Sequence, residues 1–243
     1  MPRRARFRIA GYPQLVRQRG HNDKAIFVAR DDYKTYLAIL RDCAREEDSA
    51  CDVHAYALLP DSATLLCTPK QPDSVWRLMQ SIGRRYVQYF NSAHGRSGTL
   101  WNSRYHAALI EPGGPTIGCY RHVDTLPVAA GMARSATEYA WSSARAHVGH
   151  DQERLIVHHE YFVSIGGGLL GSQRRYAALL EQPASQPNAR EIESVLSGGL
   201  AYGGEAFKDR LERQLGRSVR PGRPGRPPRR APAAETSQCQ RAA

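Results

Sequence analysis

The sequence predicts an α+β fold: a ferredoxin-like antiparallel sheet with helices on one face, followed by a C-terminal helical appendage and a disordered basic tail. Three observations predict it. To about residue 130, β-rich runs and helical stripes alternate in the order β-α-β-β-α-β-α. From residue 151 apolar residues recur mainly at helical spacing. From residue 217 the chain is rich in proline, glycine and arginine, and its apolar residues follow no regular spacing. We therefore divide the chain into residues 1–150, 151–216 and 217–243.

The first strand and the first helix precede a hairpin. Pro13–Gly20 predicts a short edge strand that ends at a glycine. Asp31 and Asp32 then supply the negative charge that favours a helix N-terminus, and apolar residues recur at helical spacing as far as Ala44. One strand and one helix are thus expected before residue 51.

The hairpin is the element on which the candidate site is built. Its two β-rich runs, Val53–Leu59 and Ala63–Thr68, flank a proline-aspartate turn, since proline cannot donate to a strand ladder and aspartate favours turns. Ser62 and Thr64 lie two residues apart at the start of the second strand. Side chains with that spacing point to the same face of a sheet.

A helix, a strand and a further helix follow the hairpin. Asp73 or Ser74 caps an amphipathic helix. A basic loop then leads to a strand within Thr99–Glu111, and Thr116–Asp124 is expected to form a short helix that stops before Pro127. With these elements the antiparallel sheet is complete.

The appendage and the tail differ in character. Three helices are predicted in the appendage, at Gly171–Gln182, Asn188–Ser197 and Glu205–Leu215. The tail contains seven arginines and one acidic residue, so its net charge of +6 is more than half of the chain's +11. Arg223 and Arg226 lie in two overlapping Pro-Gly-Arg-Pro units, which suit contacts with DNA phosphates.

The overall composition favours a polyanionic partner. A net charge of +11 and a pI of about 9.7 indicate nucleic acid as the partner. The five cysteines are scattered and form no Cys-x-x-Cys pair, which argues against a disulfide framework or a zinc ribbon and predicts a reducing cytoplasm. No run approaches the roughly 18 apolar residues that span a bilayer, so no membrane partner is expected.

Four segments outside the hairpin carry motifs in a fixed order: Leu15–Phe27, Met79–Asn91, Gly98–Ile110 and Cys119–Met132. The last three read MQSIGRRYVQYFN, GTLWNSRYHAALI and CYRHVDTLPVAAGM. Together with the hairpin they resemble the REP-associated tyrosine transposases, of the HUH single-tyrosine class. The resemblance implies a ferredoxin-like sheet, which agrees with the independent order of strands and helices.

The resemblance also implies a chemistry. In that family two hairpin histidines hold Mg²⁺ or Mn²⁺, and a tyrosine on a later helix attacks a DNA phosphodiester, leaving a 5′-phosphotyrosine and a free 3′-OH. Here Ser62 and Thr64 replace the histidines, His122 replaces the tyrosine, and Leu126 replaces a polar residue one turn later. Hydroxyls are poor ligands compared with imidazole. We therefore expect no intact catalytic residue, no metal and no cofactor.

Two alternatives would keep an activity. Tyr120 or His122 could act as a displaced nucleophile. On a helix, however, Tyr120 points about 200° away from His122, and the alternative role for its ring is packing in the core. Alternatively, His54, His106, His122 and Asp124 could form a new metal site, although His122 and Asp124 do not share a helix face.

DNA binding is expected to survive these losses. Basic and aromatic side chains combine charge for phosphates with rings on which bases stack; here they are Arg84, Arg85, Arg96, Arg104 and Tyr105. The leading hypothesis is a transposase-family protein that binds single-stranded or hairpin DNA without cutting it. The resemblance further implies a homodimer as an alternative to a monomer. An active strand transferase, and a decayed or scaffold protein with no nucleic-acid role, are the other hypotheses.

Overall fold

A computed structural model describes residues 6–182 and 186–221, except for the side chains of 186–188. The first part of the chain forms β1 (Gln14–Arg19), α1 (Arg30–Arg45), β2 (Cys51–Leu59), β3 (Ser62–Pro69), α2 (Ser74–Ala93), β4 (His106–Ile110), α3 (Gly114–Ala129) and α4 (Ala144–His147). The remainder adds α5 (Glu160–Ser164), α6 (Leu169–Glu181), α7 (Gln186–Gly198), β5 (Ala201–Tyr202) and α8 (Glu205–Leu215). The predicted order β-α-β-β-α-β-α is confirmed. Every helix in the described ranges is too short or too polar to cross a bilayer.

The strands form one sheet in the order β2-β3-β1-β4-β5. β1 pairs antiparallel with β3 and β4, and β2 pairs antiparallel with β3, whereas β5 adds parallel to β4. This is a ferredoxin-like sheet with one additional strand. β1 is therefore central, and the prediction of an edge strand was wrong. Its Leu15 and Val16 are both fully buried, as expected for a strand that is covered on both faces.

Helices cover both faces of the sheet. α1 and α2 pack on the face that contains Val16 and Leu65, as predicted. The opposite face, with Leu15 and Leu66, is covered by α3 and by the appended helices α6 and α7. The prediction of helices on one face thus holds only for α1 and α2. Adjacent apolar residues on a strand point to opposite faces, so burying both sets requires a second helical layer.

α3 is longer than predicted. It begins with Pro115 near its N-terminus, where a missing N–H is harmless. It then continues through Pro127 to Ala129, so the predicted stop before Pro127 was wrong. Because Pro127 lies in the last turn, its ring removes only one hydrogen bond close to the helix end. The helix buries Tyr120 and Val123 against the sheet.

The start of the tail also differs from the prediction of disorder from residue 217. Val219 is fully buried in a cluster with side chains of α8. Arg220 forms ion pairs with Glu205 and Glu212, which lie on α8. An apolar anchor and an acidic helix face thus hold this short segment in place. Residues 222–243 lie outside the described part of the chain.

Candidate functional site

Ser62 and Thr64 begin β3 with their side chains buried on the face that α3 and α7 cover. Each hydroxyl already has a partner. Oγ of Ser62 donates to the Asp61 carboxylate at 2.9 Å, and Oγ1 of Thr64 accepts from Nε of Arg17 at 2.9 Å. At the positions of the family's two metal-binding histidines, both hydroxyls are therefore already hydrogen-bonded within this chain.

Arg17 lies directly opposite Thr64 in the β1–β3 register. Its Nη1 and Nη2 donate to Oε2 and Oε1 of Glu193 at 2.6 and 2.8 Å. Two parallel bonds of this kind are the strongest geometry between an arginine and a carboxylate. Because Glu193 belongs to α7, the pair joins the helical appendage to the central strand of the sheet.

His122, at the position of the family's nucleophile, also contacts Glu193. Its Nε2 lies 3.1 Å from Oε1 of Glu193, an ion-pair distance, although the direction is not that of a good hydrogen bond. Burial disfavours the charged form of Glu193, but the contacts with His122 and Arg17 outweigh burial and lower the pKa of Glu193 to about 2. The carboxylate is therefore ionised at neutral pH. We call Arg17, Thr64, His122 and Glu193 the Arg17 cluster.

The Arg17 cluster does not fit a divalent cation. A guanidinium already contacts Thr64, and a second cation beside it would be repelled. Leu126, one turn beyond His122, supplies no ligand atom. Within the described ranges, no group of three or more His, Cys, Asp or Glu side chains is arranged to hold a metal ion. The Mg²⁺ or Mn²⁺ implied by the resemblance has no suitable donor set here.

A cleft of about 1110 Å³ opens beside the Arg17 cluster. His122 and Leu126 line it from α3, and Arg190 and Glu193 line it from α7. Leu180 of α6 contributes to its apolar wall. A cleft of this size can admit a group as large as a nucleotide. The family's nucleophile position thus faces a cleft, even though no tyrosine occupies it.

Tyr120 points away from that cleft. Its ring is fully buried and stacks on Phe162, with ring centroids 5.0 Å apart. Its hydroxyl accepts a hydrogen bond from the backbone N–H of His159 at 2.9 Å. Burial raises the pKa of the Tyr120 phenol above its usual value, which makes the phenolate harder to form. These contacts match the core-packing role and not that of a displaced nucleophile.

The residues of the alternative metal site lie apart. His54 is buried and hydrogen-bonded through both ring nitrogens, whereas His106 is exposed at the start of β4. Asp124 is fully buried and contacts His147 at 2.6 Å, while His122 belongs to the Arg17 cluster. The structure therefore does not bring these four side chains together around one point.

The predicted DNA-binding arginines of α2 differ in their surroundings. Arg84 is exposed and has no ion-pair partner among the described residues. Arg85, its neighbour, forms an ion pair with Glu46. Because a paired guanidinium must leave its carboxylate to reach a phosphate, Arg84 is the better candidate for a DNA contact.

The loop that follows α2 carries two further candidates. Arg104 is exposed and also lacks an ion pair in the described ranges, and the guanidinium of Arg96 lies 5.5 Å from the ring of Phe90. Tyr105 is buried, and the guanidinium of Arg6 covers its ring at 3.6 Å. A covered ring is not available for a base to stack on, so the structure does not support the prediction that Tyr105 contacts DNA. Arg223 and Arg226 lie outside the described residues.

Sequence reasoning missed Arg17 and Glu193. An arginine in an edge strand needs no partner, and the sequence predicts an edge strand here. Had the strand been recognised as central, a buried arginine would have required an acidic partner. The choice of Glu193 among the acidic residues of the appendage has no signal in the sequence, since the pair is separated by 176 residues.

One comparison with a solved structure supports the fold. No protein-family model matches the chain, and no curated protein matches it. The solved structure of a REP-associated tyrosine transposase bound to a REP hairpin is similar, with a TM-score of 0.51 and 16% identity over 66% of this chain and 93% of that one. A Deinococcus radiodurans R1 protein named as a candidate transposase gives a TM-score of 0.35 and 22% identity over 46% of this chain and 88% of that one. The chain has the fold of a REP-associated tyrosine transposase, as its motifs predicted.

Proposed function

We propose that this chain is a transposase-family DNA-binding protein that binds single-stranded or hairpin DNA and does not cleave it. The observation that carries the proposal is the guanidinium of Arg17, which contacts Thr64 and Glu193 where the family's metal pair would lie. A metal-assisted cleavage needs a cation that polarises the phosphate and a phenol that attacks it. The cation of the Arg17 cluster is a guanidinium whose N–H groups are already hydrogen-bonded to Thr64 and Glu193, so it cannot coordinate and polarise a phosphate as a metal ion does.

The nucleophile position argues in the same direction. His122 contacts Glu193, and Tyr120 is buried on the other side of α3 with a raised phenol pKa. A covalent phosphotyrosine would require Tyr120 to leave the core. The proposal therefore assigns the site a role in binding.

Several features support DNA as the partner. The chain carries a net charge of +11, and exposed cations are present at Arg84 on α2 and at Arg104 in the loop that follows it. The similar transposase structure contains a REP hairpin. We further propose a cytoplasmic location and, as a second state to be tested, a homodimer.

A labelled hairpin oligonucleotide tests the proposal. The purified full-length chain is incubated with it in Mn²⁺ or in EDTA, and the mixture is run on native and denaturing gels. We expect a native gel shift of equal strength with and without the metal, and no adduct that survives denaturant. An adduct would contradict the absence of cleavage, and Tyr120→Phe and His122→Ala would then identify its nucleophile. Absence of any shift with hairpin or single-stranded DNA would favour a scaffold protein instead.

A further inference from the structure

The Arg17 cluster has the composition of an anion-binding site that already contains an anion. The arginine fork holds two oxygens of the Glu193 carboxylate at 2.6 and 2.8 Å. His122 approaches one of the same oxygens at 3.1 Å. The planar fork of an arginine fits a phosphate as well as it fits a carboxylate. Thr64 fixes the guanidinium from behind, through Nε.

The burial of the two partners differs in a way that favours exchange of the anion. The side chain of Arg17 is 8% exposed, whereas that of Glu193 is 39% exposed. The cation is therefore fixed in the fold, and the carboxylate approaches it from the solvent side. Glu193 also lines the 1110 Å³ cleft, so a ligand in the cleft lies next to the carboxylate.

We infer that Arg17, Thr64 and His122 form a phosphate-binding site, which the Glu193 carboxylate occupies in the DNA-free protein and which a phosphate of the bound strand takes over. The inference that the phosphate belongs to DNA rests on the proposed function. The guanidinium thus provides the positive charge that a metal ion provides in the family.

In the proposed exchange α7 keeps its place and the Glu193 side chain rotates away from Arg17. α7 is anchored by Ile192, Val195 and Leu196, which are buried against the sheet. Glu193 lies on the same helix and lines the cleft, so water can solvate its carboxylate once it leaves Arg17. One anion replaces another, so the buried guanidinium is not left unpaired, which would be costly.

Inorganic phosphate tests the site without DNA. In Glu193→Ala the internal carboxylate is absent, and phosphate should raise the thermal unfolding midpoint more than chloride of equal ionic strength. The matched control is Glu191→Ala, which removes an exposed carboxylate from the same helix and should respond to phosphate as the wild type does. The double variant Arg17→Gln/Glu193→Ala should lose the response. Equal phosphate responses in Glu193→Ala and Glu191→Ala would overturn the inference.

Fluorescence anisotropy with single-stranded and hairpin oligonucleotides tests the source of the phosphate. Loss of the competing carboxylate should tighten DNA binding roughly tenfold in Glu193→Ala relative to Glu191→Ala, the scale of one charge-assisted hydrogen bond. Adding Arg17→Gln should abolish the gain. If phosphate stabilises Glu193→Ala but no variant binds DNA, the anion site stands and the proposed function fails. If all variants bind DNA equally, the DNA function stands and the inference about the DNA phosphate fails.

Discussion

The carboxylate of Asp124 and the imidazole of His147 lie 2.6 Å apart, and neither side chain is exposed to solvent. Asp124 also accepts hydrogen bonds from the hydroxyls of Ser143 and Tyr176. The other ring nitrogen of His147 is 2.8 Å from the backbone carbonyl of His54. Both ring nitrogens of His147 therefore face hydrogen-bond acceptors. The buried pair joins α3 to α4, and the Tyr176 hydroxyl adds α6.

Asp124→Ala should therefore destabilise the protein strongly. It leaves His147 and the Tyr176 hydroxyl without their acceptor, and removing one partner of a buried pair in this way typically costs about 3–5 kcal/mol of unfolding free energy. Urea unfolding followed by circular dichroism measures the change. The control is Asp151→Ala, which removes an exposed carboxylate paired with Arg145 and should leave the midpoint nearly unchanged. Equal effects of the two variants would contradict the interpretation.

The contribution of Glu193 to stability should depend on pH. Its pKa in the folded state, about 2, lies below the ordinary value of 4.5. The unfolded chain therefore takes up a proton at higher pH than the folded one. The stability lost in Glu193→Gln should be constant above about pH 5 and should shrink as the pH falls from 4.5 toward 2. Urea unfolding of both proteins along this series measures it, and a difference that does not vary with pH would refute the assignment.

Tyr120→Phe should change stability and not chemistry. The variant loses the hydroxyl that accepts from the His159 backbone N–H, which should cost roughly 1–3 kcal/mol because a buried donor is left unsatisfied. Hairpin binding in a gel shift should be unchanged, and neither protein should form a covalent adduct. Tyr161→Phe, at an exposed tyrosine on α5, is the matched control for stability. An adduct that forms with the wild type and disappears in Tyr120→Phe would restore Tyr120 as the nucleophile.

Arg84→Ala and Arg85→Ala should separate a DNA contact from a structural ion pair. Arg84 is free to bind a phosphate, so its loss should weaken hairpin binding and reduce the salt dependence of log affinity by about one unit of slope. Arg85 is paired with Glu46, and its loss should have a smaller effect. Titrations at several salt concentrations measure both slopes. A larger effect of Arg85→Ala would mean that the Glu46 pair opens on binding.

The fold could be read from the sequence because its signals are local. Alternation in β2 and β3, helical spacing in α1 and α2, and the ordered motifs each depend on neighbouring residues. The position of β1 could not be read, because its place between β3 and β4 depends on pairing with distant strands. The covering of the second face follows from the same long-range packing. The predicted stop before Pro127 was wrong because the effect of a proline depends on how near the helix end it lies.

The candidate site was only half predictable. The motifs identified Ser62, Thr64 and His122 as altered positions, but what replaced the lost chemistry depends on Arg17 and Glu193, which meet only in the folded chain. The sequence predicts Tyr105 as a DNA contact because of its ring, yet the guanidinium of Arg6, in the N-terminal segment, covers that ring. Contacts between residues that are far apart in the sequence produce no periodic pattern from which they could be predicted.

The additional strand β5 bears on self-assembly. It hydrogen-bonds to the open side of β4, while Ser142 and Ile156 form bridges along the opposite margin, on β2. Both margins of the sheet thus carry segments of the same chain within the described residues. A second copy could pair with β4, or with β2 at these bridges, only after displacing the segments that are already bound there, so two copies are more readily paired through their helical surfaces.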